Sequence, residues 1–572
     1  MSGFQGRGRG GRGRGGGRAG RGGGAGGRGG RGGYGGQNNF GGTPGGPPRS
    51  REDRKAGRRA MQQRKEAQKG ADEARYFFDQ VRQLAGRRPP RKIKSERELF
   101  GTQGTAGINF KEYTEIKVSR SGGPPNCNDI PKLASFTALK GVLPEYLFSN
   151  LTLPTRMNYD QPTPIQQHTV SLGLHGLDIM ACAQTGSGKT CAFLVPLLTS
   201  IYNAGFQGKE MPPHTTPCLP SALVLAPTRE LAMQIELESQ KLMFGSPARC
   251  ACVYGGASAR TQLQECASAP DIIVATPGRL TDFLEREPPL IDLSYTRFLV
   301  LDEADRMLDM GFEPQLRRIV QNSTLPRDRQ TLMFSATFAD NVQKVAQSYL
   351  KPDYVFVSVG RIGSTTKNIT QTLVEVGEHA CDKRSKFNIV LQQNIITKGE
   401  RTIVFTQKKA TAQWLKKELR KAGYGEVEDI HGDRSQSQRE SALASFRSGR
   451  CGILVATDVA ARGLDVDGIR AVVQFDLPVS KENQDDYVHR IGRTGRAGNT
   501  GRATGLFVRG YDPKNGNEVL APFLRKLLTE SKQVVPEFLK GAGGGGGAGG
   551  RNGRQPQKDT CSTTATGYKH KP

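Results

Sequence analysis

Four carboxylates crowd the stretch "RFLVLDEADRMLD", residues 297–309: Asp302, Glu303, Asp305 and Asp309, directly after the apolar run "FLVL". Like charges this close raise one another's pKa and destabilise a fold unless a cation lies among them. A second stretch supplies a reason for one. "ACAQTGSGKTCAFLVP" (181–196) follows a strand-like run and opens an apolar helical one. In that setting a glycine-rich loop cradles phosphates on backbone amides and a helix N-terminus. The loop is Ala183, Gln184, Thr185, Gly186, Ser187, Gly188, Lys189 and Thr190. Alanine stands at 183 where the general pattern has glycine. Gly186 and Gly188 still supply backbone freedom, Lys189 reaches the β- and γ-phosphates, and the Thr190 hydroxyl binds Mg²⁺. Around such a loop a strand-end aspartate holds the Mg²⁺ and a neighbour orients the attacking water. Those roles use Asp302 and Glu303. Asp305 is left for a contact between domains, and Asp309 for a solvated helix face. Without nucleotide, Asp302 or Glu303 is expected to have a raised pKa.

Such residues need a frame to hold them. From 178 to 340, strand-like runs ("DIMACA", "SALVLAP", "CACVYGG", "DIIVATP", "RFLVLDE", "QTLMFSAT") alternate with helical segments such as "RELAMQIELESQKLM". This alternation implies an α/β fold with a doubly wound parallel sheet. It pauses at the Gly/Ser/Thr-rich "VGRIGSTTKN" (359–368), which suits a linker. It resumes with "RTIVFTQ", "GILVATD", "AVVQFDLP" and "RATGLFV", and "ATAQWLKKELRKAG" sets Trp414, Leu415 and Leu419 on one helical face. Two tandem α/β domains follow. Ligands of open parallel sheets sit beyond the carboxyl ends of the strands, so the polar strand ends should gather on one rim.

The remaining chain has a different character. Residues 1–50 hold 25 glycines and nine arginines with no lysine or acid, and 541–550 read "GAGGGGGAGG". Neither can bury enough apolar surface to offset its ordering entropy, so both ends are expected to be disordered. Of the net charge of +28, +17 lies in residues 1–100 and +5 in 540–572, leaving +6 for the middle. Attraction for polyanions therefore resides in the tails, and a grip by the folded part must come from placed residues. The ten cysteines show no CxxC pair or zinc-like spacing; "CAC" at 250–252 reads as core, and the thiols as reduced. No apolar run reaches membrane-spanning length. A soluble, cytoplasmic protein is expected, in ribonucleoprotein granules or shuttling through the nucleus. The expected layout is a disordered Arg/Gly-rich and basic extension over 1–100, a flanking segment 101–126, a first domain 127–358, the linker 359–368, a second domain 369–540, and a disordered Gly-rich tail 541–572.

"AQTGSGKT", "PTREL", "TPGR", "VLDEAD", "SAT" and "HRIGRTGR" in this order make the chain, over about 130–540, resemble the DEAD-box RNA helicases. The flanks "RELFGTQGTAGINFKEYTEIKV" and "VGRIGSTTKNITQ" resemble the Vasa/Belle-like branch, which includes translation-initiation members. The resemblance implies two RecA-like domains and ATP with Mg²⁺ as cofactors. It implies an ATP-dependent RNA helicase acting in mRNA translation or mRNA metabolism. In "MNYDQPTPIQ", Gln166 would read both edges of adenine, as an amide can, and Tyr159 would stack on the ring. Phe136 resembles the family's upstream aromatic, at a spacing about five residues longer than expected. The alternative for Tyr159 is a loop aromatic packed on the surface. Ser335 and Thr337 of "FSATF" would couple closure to chemistry through Asp305 and His489. "YVHRIGRTGRAG" would bring Arg493 and Arg496 to the γ-phosphate, a finger worth roughly 10³–10⁵ in rate in related enzymes. Arg490 reads either as a further cation or as a structural ion-pair residue, and Asp465 suits the ribose hydroxyl.

For RNA the matching positions are Pro227, Thr228 and Arg229, Gly255 and Gly256, and Thr276, Pro277, Gly278 and Arg279. In the second domain they are Thr406, Gln436, Arg439, Thr457 and Arg462. Threonines, glycines and arginines of this kind suit phosphate and 2′-hydroxyl contacts without base reading. Each is also ordinary turn or cap chemistry; Asp433 and Gln436 fit a capping box. Closure over RNA, which the family bends, would separate strands locally without translocation. The Arg/Gly tail, with Phe4, Tyr34 and Phe40 as sparse aromatics, resembles RGG segments that bind RNA. Residues 51–100 are helix-prone, with Tyr76, Phe77, Val81 and Leu84 on one face; a partner-binding helix and a solvated one fit equally. Partners are mRNA and translation or ribonucleoprotein components, with no membrane, and the chain is expected to be a monomer. The rival readings are a nucleotide-gated RNA clamp, an RNA-binding scaffold or condensate protein, and a DNA helicase.

Overall fold

The computed structural model describes residues 51–84, 94–101, 117–184, 186–205, 217–360, 368–377, 382–458, 466, 468–480, 484–495, 500–512 and 516–540. The expected tails, most of the linker, Phe4, Tyr34 and Phe40 lie outside them, as do Thr185, Arg462, Asp465 and Arg496.

The chain divides into two compact units at Lys65. In the first, the described residues are the leading part of the helix Arg51–Leu84, and the side chains described there, such as Glu52, Lys55 and Met61, are exposed. The second holds both sheets. Its first sheet comprises β1 (Val118–Gly122), β2 (Ile179–Cys182), β3 (Ala222–Leu225), β4 (Cys250–Val253), β5 (Ile272–Ala275), β6 (Phe298–Leu301), β7 (Gln330–Ser335) and β8 (Val355–Val359). Its second comprises β9 (Ile369–Val376), β10 (Thr402–Thr406), β11 (Val427–Ile430), β12 (Ile453–Thr457), β13 (Ala471–Gln474) and β14 (Gly501–Val508). The strand orders are β1-β8-β2-β7-β6-β3-β5-β4 and β11-β12-β10-β13-β14-β9. All pairings are parallel except β1 with β8, where Val118 faces Val359.

Burial of both sheet faces explains the continuous apolar runs. In β3, Ala222 and Val224 enter one apolar cluster while Leu223 and Leu225 enter the opposite one. In the second sheet Ile403 and Phe405 lie in one cluster and Val404 in the other. Cys252 is buried in the core, as its strand-like setting implied. On the helix Lys409–Lys421, Leu415 and Leu419 are fully buried and Trp414 packs edge-on to Phe387. Among the described residues no helix is long and apolar enough to cross a membrane.

Disorder through residue 100 is the expectation that needs correcting. Residues 51–84 and Glu96–Phe100 are helical, and Phe77, Val81, Leu99 and Phe100 are buried. The high charge average hides these apolar anchors. Ser95 caps the second helix, exchanging hydrogen bonds with Glu98 in a capping box.

Candidate functional site

The strand order sets the motifs out along one rim. β2 ends in the glycine-rich loop, β7 in Ser335, and β6 in Asp302; these three strands are neighbours. Next to them β3, β5 and β4 end in "PTRE", "TPGR" and Gly255-Gly256. One half of the rim thus carries phosphate chemistry and the other half the loops matched to RNA. Backbone bonds fix the first half: Ala183 donates to Ser335 at 3.0 Å and Asp302 to Leu225 at 2.9 Å.

Lys189, 7% exposed, starts the helix Lys189–Asn203 and donates from Nζ to the Ala183 carbonyl at 3.2 Å. The loop before it turns through left-handed conformations at Gly186 and Gly188. At Gly188 a side chain is excluded twice, because a Cβ would also strike the Gln166 amide. Gln166 is buried; its amide donates to the Gly188 carbonyl at 3.0 Å and accepts from the Thr163 amide at 2.9 Å. The Thr163 hydroxyl completes the tie by donating to the Ser187 carbonyl at 2.7 Å. One N–H and one lone pair of Gln166 thus hold the loop, and one of each is left for a base edge. Tyr159 is half-buried, whereas Phe136 is 1% exposed, with ring centroids 6.0 Å apart. Of the two rings only Tyr159 reaches the surface, so Phe136 bears on a ligand only through it.

The crowded acids separate by environment. Burial pushes the Asp302 carboxyl up to about 6; Lys189 opposes the rise and Glu303 adds to it. Thr190 and Asp302 are hard oxygen donors of the kind that hold Mg²⁺, and Asp302 is a buried charge that a divalent cation would restore. The residues present fit that ion. Glu303 follows in a left-handed backbone conformation, φ 51°, with its amide bonded to Asp302 at 3.0 Å. A non-glycine residue there is strained, a condition that clusters at active sites. Asp309 is exposed.

Asp305 is the joint between domains. Its Oδ2 accepts from the amides of Ala336 and Thr337 at 3.1 Å and from the Thr337 hydroxyl at 3.2 Å. The Thr337 amide also lies 3.3 Å from the Ser335 hydroxyl. From the second domain His489 Nε2 stands 3.6 Å from the same Oδ2. Burial disfavours the Asp305 charge, but contact with His489 and the cations Lys189 and Arg306 hold it well below the usual carboxylate range. Burial, with Arg306 beside it, pushes His489 down from the ordinary histidine value.

Beside this joint Arg306 donates to Asp486 at 2.5 Å. Neither residue stood among the sequence candidates; 180 positions separate them and no spacing rule joins them. Arg490 is the structural ion-pair residue of its two readings: it grips Asp458 at 2.6 and 2.7 Å and donates to the Asp476 carbonyl. Arg493 is 5% exposed, and its Nε donates to the His489 carbonyl at 3.3 Å.

The RNA-matched half is also closed between domains. Arg229 donates to Gln436 at 2.5 Å and Arg439 pairs with Glu230 at 2.7 Å. The Arg229 guanidinium lies across Gly256, at φ 82°, where a Cβ would collide with it. Gly255, Gly256, Gly278, Arg279, Gln436 and Arg439 reach the surface at least partly; Pro227, Thr228, Thr276, Pro277, Thr406 and Thr457 are buried. Thr228 caps the helix Arg229–Leu242, its hydroxyl accepting from the Leu231 amide. The capping box expected from Asp433 is formed instead by Ser435 with Gln438. Asp433 pairs instead with Lys409 at 2.7 Å, at the start of the helix Lys409–Lys421.

Comparison with known proteins bears on this layout. Residues 163–345 match the family model of the DEAD/DEAH box helicases, and 385–498 that of the helicase conserved C-terminal domain. The two matches span just over half of the chain. Among solved structures, the DEAD-box helicase Mss116 bound to ssRNA and UDP-BeF is 29% identical, over 72% of this chain and 82% of its own, with a TM-score of 0.59. S. cerevisiae Dbp5 bound to RNA and ADP BeF3 is 29% identical, over 69% of this chain and 94% of its own, with a TM-score of 0.57.

Proposed function

The chain belongs to the DEAD-box helicase family, and on that premise we propose that it is an ATP-dependent RNA helicase driven by closure of its two domains. The observation that carries the reading is the pair of contacts His489–Asp305 and Asp486–Arg306. They bring the helix that carries Asp486 and His489 beside the acids at the end of β6. RNA bound to Mss116 and to Dbp5 supports the same reading.

In this reading the adenine lies on Tyr159 and is read by the free edge of Gln166. Lys189 and the loop amides hold the β- and γ-phosphates, and Asp465 the ribose. Thr190 and Asp302 hold Mg²⁺, which when bound offsets phosphate charge. Glu303 orients water for attack on the γ-phosphorus; the bond to the β-phosphate oxygen breaks, releasing ADP and phosphate. Arg493 and Arg496 face the γ-phosphate only when the domains close, supplying charge where the transition state develops it. Ser335 and Thr337 link the rim to that closure through Asp305. RNA laid along the loops of both domains favours the closed state and so accelerates turnover, which is linkage between two sites.

The finer assignments extend this. The chain takes the Vasa/Belle-like place in the family, works on mRNA in the cytoplasm, in translation or in ribonucleoprotein granules, and uses residues 1–50 as an electrostatic RNA tether. A nucleotide-gated clamp would use the same seam. Strand separation of a short RNA duplex, in ATP and in a non-hydrolysable analogue, tests the choice. A helicase separates strands in ATP faster than it lets go of single strands. A clamp holds RNA without separation, and stimulation by DNA equal to that by RNA overturns both.

A further inference from the structure

Residues 66–84 read in sequence as a solvated or partner-seeking helix, with seven charged residues. Within the larger unit they are docked on the first domain. Ala74, Phe77 and Val81 are buried, Phe77 completely, in the apolar cluster that also holds Ala259, Leu263, Leu280 and Phe283. Glu73, 6% exposed, pairs with Arg286 at 2.8 Å, and Arg286 also donates to the Gly70 carbonyl at 3.3 Å. One turn along, the Arg260 guanidinium lies 5.5 Å from the Tyr76 ring centroid.

The positions of the two arginines give these contacts their meaning. Arg260 belongs to the helix Ala259–Ala267, which begins just after the Gly255-Gly256 loop. Arg286 follows the helix Pro277–Leu284, whose first turn is the "PGR" of "TPGR". Arg286 also lies over the Phe283 ring and pairs with Asp282 at 3.0 Å, so it is fastened to that helix. The docked segment therefore spans the supports of two separate loops, both matched to RNA.

We propose that residues 66–84 are an intramolecular strap that fixes these two loops relative to each other, with Glu73 and Phe77 as positioning residues for RNA. The proposal rests on the RNA-helicase reading. Two loops carried on separate helices must lose their relative freedom when one strand engages both; a helix fastened to each removes that freedom in advance and lowers the cost of binding. The contacts described for the strap are all with the supports of these two loops, and nucleotide binding is expected to be independent of it.

The test uses the full chain with Glu73→Lys, which sets a like charge against Arg286, and with Phe77→Ala. ATP turnover is followed against single-stranded RNA concentration. In both variants the RNA concentration for half-maximal stimulation rises by about five-fold or more, the lower end of coupling between sites. The KM for ATP and the turnover at saturating RNA stay within about two-fold. Glu73→Gln, which keeps a hydrogen-bond acceptor for Arg286, shifts the RNA dependence less than Glu73→Lys does. If Tm falls but RNA dependence does not move, the helix merely stabilises the domain and the proposal is overturned. An unsubstituted chain indifferent to RNA would remove the helicase reading itself, a result visible before any variant is made.

Discussion

Arg306 and Asp486, on opposite domains, form an ion pair at 2.5 Å with side chains 5% and 12% exposed. Closing the domains takes both charges out of water; their mutual contact, with Glu303 and Asp305 also beside Arg306, offsets that loss. Removing Asp486 takes away the largest of these attractions, at up to roughly 3–5 kcal/mol for a buried pair. Opening lets the Arg306 charge return to water, so the penalty falls on closure rather than on folding. Asp486→Ala is expected to lower RNA-stimulated kcat/KM by at least about ten-fold with little change in Tm. Steady-state turnover and a thermal melt check both halves.

His489 supplies a pH dependence whose sign can be worked out. Asp305, Asp485, Glu303 and Arg306 act on it, and burial with Arg306 depresses its pKa in the closed form. A base with a depressed pKa is neutral there, so the closed form binds fewer protons than an open form whose histidine is wetted. Acidification through the ordinary histidine range, near about 6.5, therefore favours opening. RNA affinity in a non-hydrolysable ATP analogue should weaken from pH 7 to pH 6, and His489→Gln should flatten that limb. An unchanged acid limb in the variant assigns it elsewhere.

Asp302 sets stability against activity. Its carboxyl is pushed up to about 6 by burial, above its unfolded value. A raised acid stabilises the fold only where it is protonated and costs stability as pH rises through the shifted range, on the order of 2–3 kcal/mol by neutrality. Asp302→Asn is expected to keep or raise Tm in the absence of Mg²⁺ while turnover falls by about 10³-fold or more. A clearly lower Tm at pH 7 would show that the carboxylate is not under strain.

Much of this was legible in sequence, for physical reasons. A parallel strand covered on both faces must be continuously apolar, so β2, β3, β5, β6 and β7 announce themselves. The phosphate loop is local, with all its parts within eight residues. β11 reads "VEDI" and hides behind two acids; Lys416 pairs with both Glu428 and Asp429, which makes that charge tolerable. β1 is a polar edge strand, "VSRSG", with no core pattern to betray it. Pairings such as Arg306–Asp486 and Glu73–Arg286 join distant segments and leave no periodic signal. Gln166 was legible as an adenine reader, but its hold on the Gly188 carbonyl depends on how the loop folds back.

The nine arginines of residues 1–50 predict a salt effect. Each phosphate neutralised on a single strand contributes about 0.7 to the slope of log affinity against log salt. Deleting residues 1–50 is expected to reduce that slope by several units, up to about 6, and to weaken binding most at low salt. An unchanged slope would assign the tail no part in holding RNA.

The central claim is that closure both completes the hydrolytic site and clasps RNA. Its most direct test is the ATP hydrolysis rate of the intact chain and of Arg493→Ala, each with and without single-stranded RNA. The account predicts a rate raised by about ten-fold or more by RNA in the intact chain, and an Arg493→Ala chain that still binds nucleotide and no longer responds. Equal rates with and without RNA, or full stimulation in the variant, would contradict it.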